Sequence, residues 1–485
     1  MQFIVKYFPE ITIKSKPVRR KFCQQLRTNL MRQLKTVDSD IFVQKQWDQL
    51  IVRSERNDEL TNKNIVDVLQ RTSGIAYFLD VIEYPLIDME DIFARTKALH
   101  ERTVTDKTFA VRCKRAGTHD FSSGDVERFV GRGMLEHCES KGVSLRNPDV
   151  TLRLEIREER LYIVNQRYKG LGGLPMGSID TVLSLMSGGF DSTVASYLTM
   201  RRGLTTHFLF FNLGGRAHEI GVKEVALYLW QKYGSSHRVQ FITVPFEDVV
   251  AEILNSVDNS QMGVVLKRMM LRAGSQIAQN QEIDALVTGE SVAQVSSQTL
   301  TNLAVIDSVT DTFVMRPLVT MDKEQIITIA DEIGTREFAA NMPEYCGVIS
   351  VKPTIKAKPE RIKAQEDRFD FKVLEAAIAN IKFARISEID LAEERATDVE
   401  VLPIPLSESV IIDVRHPSER ELKPLALNSN KVLNVPFYEL HNHFATLDKN
   451  TVYMLYCGKG VMSRLHASHL KDQGFNNVSV YRPNY

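Results

Sequence analysis

A largely apolar run, Thr181-Val182-Leu183-Ser184-Leu185-Met186, leads directly into Ser187-Gly188-Gly189-Phe190-Asp191-Ser192, and that turn into Thr193-Val194-Ala195-Ser196-Tyr197-Leu198. A buried strand, a small-residue turn and a helix start, in that order, aim backbone N–H groups and a helix N-terminus at one point, an arrangement suited to phosphate. Gly188 and Gly189 allow close approach of an anion, Ser187 and Ser192 add hydroxyl donors, and Asp191 suits a site that also holds a divalent cation. No Gly-Lys-Ser/Thr triplet closes the turn, so a Walker-type loop that cleaves at the terminal phosphate is disfavoured.

The same alternation continues downstream. Val182 to Met186, His207 to Leu213, Gln240 to Val244 and Ala285 to Thr288 are apolar strand runs separated by helical stretches. Such strands predict a parallel sheet covered on both faces, with ligands at the carboxyl ends of its strands. The Ser187–Ser192 turn lies at one such end. Thr288-Gly289-Glu290 lies at another and runs into the polar stretch Ser291 to Thr299.

At 485 residues the chain needs several cores, and no segment approaches the roughly 20 uninterrupted apolar residues of a membrane span. The start, Met1 to Lys6, lacks the features of a secretory signal, so a cytoplasmic protein is expected. Its five cysteines show no CxxC spacing, which argues against a zinc cluster and against a secreted disulfide framework. Net charge is formally zero, so a nucleic-acid partner must be sought in local asymmetry. The first 36 residues supply it, with nine Lys or Arg against the single acid Glu10.

Five segments are expected. Residues 1–60 read as a small α+β unit with a basic helix from Pro17 to Leu34. Residues 61–167 mix helices and strands and include Lys114-Arg115-Ala116-Gly117-Thr118, a strand leaving into a glycine turn where cations would meet a phosphate backbone. Lys169 to Pro175 reads as a flexible junction. Residues 178–350 hold the parallel sheet. Residues 351–404, rich in Lys, Glu, Arg and Ala, read as a linker or bracing segment, and 405–485 as a last small α/β domain.

In that last domain Cys457 follows the strand Thr451 to Tyr456 within Cys457-Gly458-Lys459-Gly460-Val461-Met462-Ser463, with a helix starting at the far side. A short glycine-rich loop and a helix N-terminus both favour a thiolate, so Cys457 is the expected sulfur carrier. Cys346, in Met342-Pro343-Glu344-Tyr345-Cys346-Gly347, taken alone reads as an ordinary loop thiol. Cys23, Cys113 and Cys138 fall within helix or strand patterns as small core residues. Lys267, Arg268 and Arg272 share one helix, either as a cationic path or as a salt-bridged structural face.

The Ser187–Ser192 hexapeptide resembles the signature of the PP-loop ATP pyrophosphatases, which split ATP into AMP and pyrophosphate. Residues 61–167 resemble a THUMP RNA-binding domain, and the Cys457 loop with Asp413-Val414-Arg415 resembles a rhodanese domain. In this order along essentially the whole chain, the parts resemble the tRNA 4-thiouridine synthetases of the longer bacterial type. The resemblance implies a multidomain α/β and α+β protein with four folded parts. These are a ferredoxin-like unit, a THUMP domain, a PP-loop (adenine nucleotide alpha hydrolase-like) parallel sheet and a C-terminal rhodanese-like domain.

It further implies that ATP and Mg²⁺ are used, with Leu185, Met186, Ser187, Gly188, Gly189, Asp191, Ser192, Lys267, Gly289 and Gln298 at the nucleotide. Asp191, Cys346 and Cys457 are the implied catalytic residues, Lys323 an aid to adenylation, and no protein metal site is assigned. The implied partners are tRNA, a cysteine desulfurase, the sulfur-carrier protein of thiamine thiazole synthesis and a reductant for a Cys346–Cys457 disulfide. No membrane is involved. A 2-thiouridylase of the same PP-loop class is the neighbouring alternative, and an RNA-binding protein that retains nucleotide without turnover is a more distant one.

Overall fold

The computed structural model describes residues 1–213, 215–340, 353–389, 399–415, 420–421, 423–427, 429–436, 440–444, 446–458, 463, 466–467, 470–471 and 474–483, with backbone alone at 215–217 and 441–442. Cys346 lies outside the described residues. The chain divides into two compact units, Met1–Ser178 and Ile179–Tyr485.

In the first unit one sheet of eight strands runs in the order Phe42–Lys45, Gln49–Arg53, Gln2–Tyr7, Ile75–Pro85, Arg160–Gly172, Val150–Arg157, Thr108–Ala116, Gly142–Val143. Alternation along each strand sorts its two faces. Phe3 and Val5 pack with Phe22, Leu26, Leu30 and Leu34 of the helix Lys16–Leu34, whereas Ile4 joins Leu79, Val81, Tyr162 and Val164 in a separate cluster. The helical stripe starts one turn later than its spacing suggests, because Val18 is 39% exposed. A second pair of helices, Met89–Val104 and Ser123–His137, closes its own core through Ile92, Val126, Val130 and Met134.

The expected junction at 169–175 is instead the end of a strand and the turn behind it. A Cβ on Gly170 would lie 2.3 Å from the Ile75 carbonyl oxygen, so glycine there serves close strand packing and not freedom of movement. Gly74 N–H donates to the Gly172 oxygen at 2.8 Å, which adds a bond at the end of this central strand pair.

The second unit holds two further sheets. The larger has the order Phe313–Met315, Ala285–Val287, Thr181–Leu185, Thr205–Asn212, Gln240–Pro245, Lys382–Arg385. Its first four pairings are parallel, as expected, and the last is antiparallel. That antiparallel strand comes from the stretch expected as a linker or bracing segment. Its helices Pro359–Glu366 and Phe371–Ala379 bury Ile362, Leu374 and Ala377 in the same core as Leu209, Ile242 and Leu286. The acidic and basic residues of this segment are partly ion-paired: Glu366 receives Arg268 at 2.7 and 2.9 Å and Arg272 at 3.0 Å. Arg268 and Arg272 are therefore structural and do not form a cationic path.

The smaller sheet runs Val401–Leu402, Val478–Tyr481, Tyr453–Tyr456, Val410–Asp413, Val432–Asn434, with every pairing parallel. Ile411, Met454, Tyr456 and Tyr481 form its core cluster. Among the described residues no helix is long and apolar enough to cross a membrane.

Candidate nucleotide and sulfur sites

At the carboxyl end of Thr181–Leu185, Met186 N–H still bonds the Leu209 oxygen at 2.8 Å before the chain turns away. Gly188 sits at φ +81°, and Gly189 caps the helix Phe190–Arg201. The loop is closed by its own serines: Ser187 N–H donates to Ser192 Oγ at 3.1 Å, and the two hydroxyls lie 3.1 Å apart. A Cβ on Gly189 would meet only Ser187 Oγ, at 3.9 Å, so the space in front of the loop is open. Val194, Ala195, Ser196 and Tyr197 are all buried, which makes this helix a core element that fixes where the loop points.

Two distant parts of the sequence converge on Asp191. Its Oδ1 accepts Lys323 Nζ at 2.9 Å and its Oδ2 accepts Gln294 Nε2 at 2.7 Å. Lys323 is the first residue of the helix Lys323–Ile333, which is held by a capping box between Asp322 and Gln325. Gln294 follows Ala293, a non-glycine residue at φ +64°, a conformation that persists only where the surroundings enforce it. Ala293 N–H bonds the Gln298 oxygen at 2.9 Å, which enforces it. Among the described residues neither Gln294 Oε1 nor Gln298 Oε1 has a hydrogen-bond partner, although both are buried. Each such oxygen costs about 1–3 kcal/mol until something donates to it.

Gly289 is where the second strand end meets the loop. A Cβ there would fall 2.4 Å from the Asp191 carbonyl carbon and 2.6 Å from Ser192 N. Beside it, Glu290 accepts Lys267 at 2.5 Å, Arg316 Nε at 2.9 Å and Thr288 Oγ1 at 3.0 Å. Arg316 forks onto Asp307 at 2.8 and 2.6 Å. Burial raises the Glu290 pKa, but Lys267 and Arg316 outweigh it and hold the carboxyl at about 2. A depressed folded pKa contributes stability above the ordinary value of 4.5, lost as pH falls toward 2. Glu290→Ala should therefore lose about 3–5 kcal/mol at pH 7, because Lys267 loses its carboxylate and Arg316 keeps only Asp307, and the deficit should shrink below pH 4.5. Urea denaturation at pH 7 and pH 3.5 measures both, and an equal deficit at the two values would contradict the ionic role.

Cys457 follows the strand Tyr453–Tyr456, and its sulfur accepts Ser463 N–H at 3.4 Å with Ser463 Oγ also at 3.4 Å. Asp413 and Arg415, at the neighbouring strand end, pair through contacts of 2.9 and 2.6 Å, and the guanidinium lies 5.0 Å from the Tyr456 ring centroid. The other described cysteines are poorly placed for nucleophilic work. Burial pushes the Cys113 thiol up to about 12 and raises that of Cys23. Among the described residues no group of three or more His, Cys, Asp or Glu is placed to hold a metal ion.

In the first unit, Tyr77 lies under the Arg167 guanidinium at 4.1 Å and receives Lys114 at 3.3 Å on its hydroxyl. Arg153 stands within reach of the charges of Arg167 and Arg112. This aromatic and basic cluster suits a nucleic-acid backbone. Arg115 differs from expectation, since it is turned onto the Gly117 oxygen at 3.0 Å and His119 at 2.9 Å. Lys16, Arg20 and Lys21 line a depression on the first basic helix, while Arg19 stacks on Trp47 at 4.5 Å.

The Ser-Gly-Gly-Phe-Asp-Ser turn at a parallel strand end, joined in one chain to a cysteine loop on a second parallel sheet, defines the class: a PP-loop nucleotide domain with a rhodanese-like sulfur domain. Residues 177–371 match the family described as Thiamine biosynthesis protein (ThiI), 2–78 its ferredoxin-like domain, 87–164 the THUMP domain and 399–483 the rhodanese-like domain. The tRNA sulfurtransferases of Pseudomonas aeruginosa (strain UCBPP-PA14) and Azotobacter vinelandii are each 53% identical, over 483 and 485 residues, with both chains covered in full. A crystal structure of a 4-thiouridine synthetase in complex with RNA and ATP superposes with a TM-score of 0.70 at 26% identity, over 79% of this chain and 99% of that one. The chain belongs to the tRNA sulfurtransferase family.

Proposed function

We propose that this protein uses ATP to convert uridine 8 of tRNA to 4-thiouridine, with sulfur carried on Cys457. The observation that carries the reading is the Lys323–Asp191–Gln294 cluster at the mouth of the Ser187–Ser192 loop, in the same chain as a helix-capped cysteine. A carbonyl oxygen is a poor leaving group, so the reaction needs two steps. First the uridine O4 attacks the α-phosphorus of ATP: an O–P bond forms, the bond to the β-phosphate bridge breaks, and pyrophosphate leaves.

Backbone N–H groups from Gly188 to Ser192 and the Lys323 ammonium face the charge that this step develops. Leu185 and Met186 would flank the nucleotide, Lys267 would trade part of its Glu290 contact for phosphate, and the buried Gln298 oxygen would accept from the adenine amino group. Gly289 keeps this wall close to the loop. Mg²⁺ bound with ATP would add positive charge against the leaving pyrophosphate, and Asp191 would offer it a hard oxygen ligand beside the loop.

Next the terminal sulfur of the Cys457 persulfide attacks C4, the C4–O bond breaks, and AMP departs. Cys346 thiolate then attacks the Cys457 sulfur, which releases 4-thiouridine and leaves a Cys346–Cys457 disulfide. Alternatively Cys346 first frees sulfide, which attacks C4 itself. Both routes consume one two-electron reductant per turnover. A cysteine desulfurase supplies the persulfide, and the same sulfur serves a small carrier protein for the thiamine thiazole. The cluster of Tyr77, Lys114, Arg153 and Arg167 is offered as part of the tRNA surface.

The test is incubation with tRNA, ATP, Mg²⁺, cysteine, a desulfurase and a reductant, followed by nucleoside mass analysis. Appearance of 4-thiouridine at position 8 is expected. Recovery of 2-thiouridine, or of no thionucleoside, would reject the proposal.

A further inference from the structure

In the function proposed above the sulfur must reach the adenylated atom, and one buried contact joins the two domains that hold them. His466 Nε2 lies 2.7 Å from Glu224 Oε1, although the residues are 242 apart in sequence, and the two side chains are only 7% and 9% exposed. The burial matters, because an exposed pair of this kind is worth almost nothing whereas a buried one is strongly destabilising to break.

Each partner sits on an element already engaged with one of the sites. Helical residues 463, 466, 467, 470 and 471 follow the Cys457 loop, and Ser463 and His466, three apart, lie on one helical face. Ser463 N–H holds the Cys457 sulfur, and His466, three residues on, reaches Glu224. Glu224 belongs to the helix Gly215–Leu229, whose first turns present His218 to the Ser187 backbone oxygen at 3.4 Å. The helix that touches the ATP-type loop is therefore the one that receives the sulfur-bearing helix.

We propose that Glu224 and His466 form a clasp that docks the sulfur-carrying domain on the nucleotide domain during sulfur transfer. The proposal rests on the function given above. Both are positioning residues, whose part is to hold two domains whose reacting groups tolerate little misplacement. Cys457 is itself only 6% exposed in this arrangement, so the docked state also shields the sulfur from bulk solvent.

The experiment uses full-length wild type, Glu224→Ala, His466→Ala and the double variant. Four readouts are compared: loading of persulfide by a desulfurase, tRNA-dependent AMP formation, single-turnover sulfur transfer from preloaded protein to tRNA, and hydrogen exchange across residues 218–229. Each single variant should lower the transfer rate at least about tenfold, with loading and AMP formation within about twofold of wild type. The double variant should be no slower than either single one, as expected when both partners serve one interaction. Exchange across 218–229 should rise in His466→Ala, although that substitution lies in the other domain.

Unchanged transfer, additive losses in the double variant, or a parallel fall in loading and AMP formation would each overturn the clasp. Wild-type protein that makes no 4-thiouridine would defeat the functional reading instead. In that event the exchange measurement still decides the contact, since unaltered protection in His466→Ala would refute it.

Discussion

Cys457→Ala protein forms no 4-thiouridine over repeated turnovers, a loss of at least about 10³-fold, while pyrophosphate release with tRNA continues. This is the largest effect expected of any single change. The sulfur is the only atom of the loop able to carry a second sulfur, and Ser463 N–H marks the place that a persulfide would occupy. The buried thiols of the first unit are poor nucleophiles: burial pushes Cys113 up to about 12 and raises Cys23. Mass analysis of the tRNA and a pyrophosphate assay on the same sample check both halves. Thiolation that persists at the wild-type rate would remove Cys457 from the mechanism.

Gly289→Ala is the second. Its new methyl group would meet the Asp191 carbonyl carbon at 2.4 Å and Ser192 N at 2.6 Å, both of them backbone and unable to rotate aside. The strand end and the first turn of the helix must part, and Asp191 moves with the helix relative to Lys323 and Gln294. An overpacked core position costs about 1–3 kcal/mol. Misplacement of this size at a reacting centre costs about 10²-fold or more in rate. AMP formation should therefore fall by at least that factor while the urea midpoint shifts only modestly. Wild-type AMP formation in the variant would mean that the closeness of these two elements is incidental.

Periodicity and turn chemistry made the strands legible, and with them the site's location. A parallel sheet puts its loops at one edge, so Ser187–Ser192 and Thr288–Glu290 had to be neighbours. What occupied the space between them was not legible. Gln294 lies in a polar stretch with no period, and its approach to Asp191 depends on the left-handed turn at Ala293, which no glycine announces. Lys323 was visible as a helix start, but only the fold brings it 2.9 Å from a carboxylate 132 residues away. Composition left 351–404 open between a linker and a bracing segment. There Glu366 answers two arginines and the apolar remainder fills a core. Glu224 and His466 carried no signal at all, because a contact between domains leaves no mark on local spacing.

The eight-stranded sheet of the first unit has an implication for how such a protein can be cut. Sequence matches treat residues 2–78 and 87–164 as separate pieces, yet Ile75–Pro85 is hydrogen-bonded to Gln2–Tyr7 on one side and to Arg160–Gly172, which starts inside the second piece, on the other. Deleting the residues before about 60 would strip Ile75–Val81 of Gln2–Tyr7 and expose a row of open amides beside Leu79 and Val81, an invitation to intermolecular pairing. Modules that look independent by homology are here a single cooperative body. A shortened protein that begins near residue 60 should precipitate where the intact first unit stays in solution.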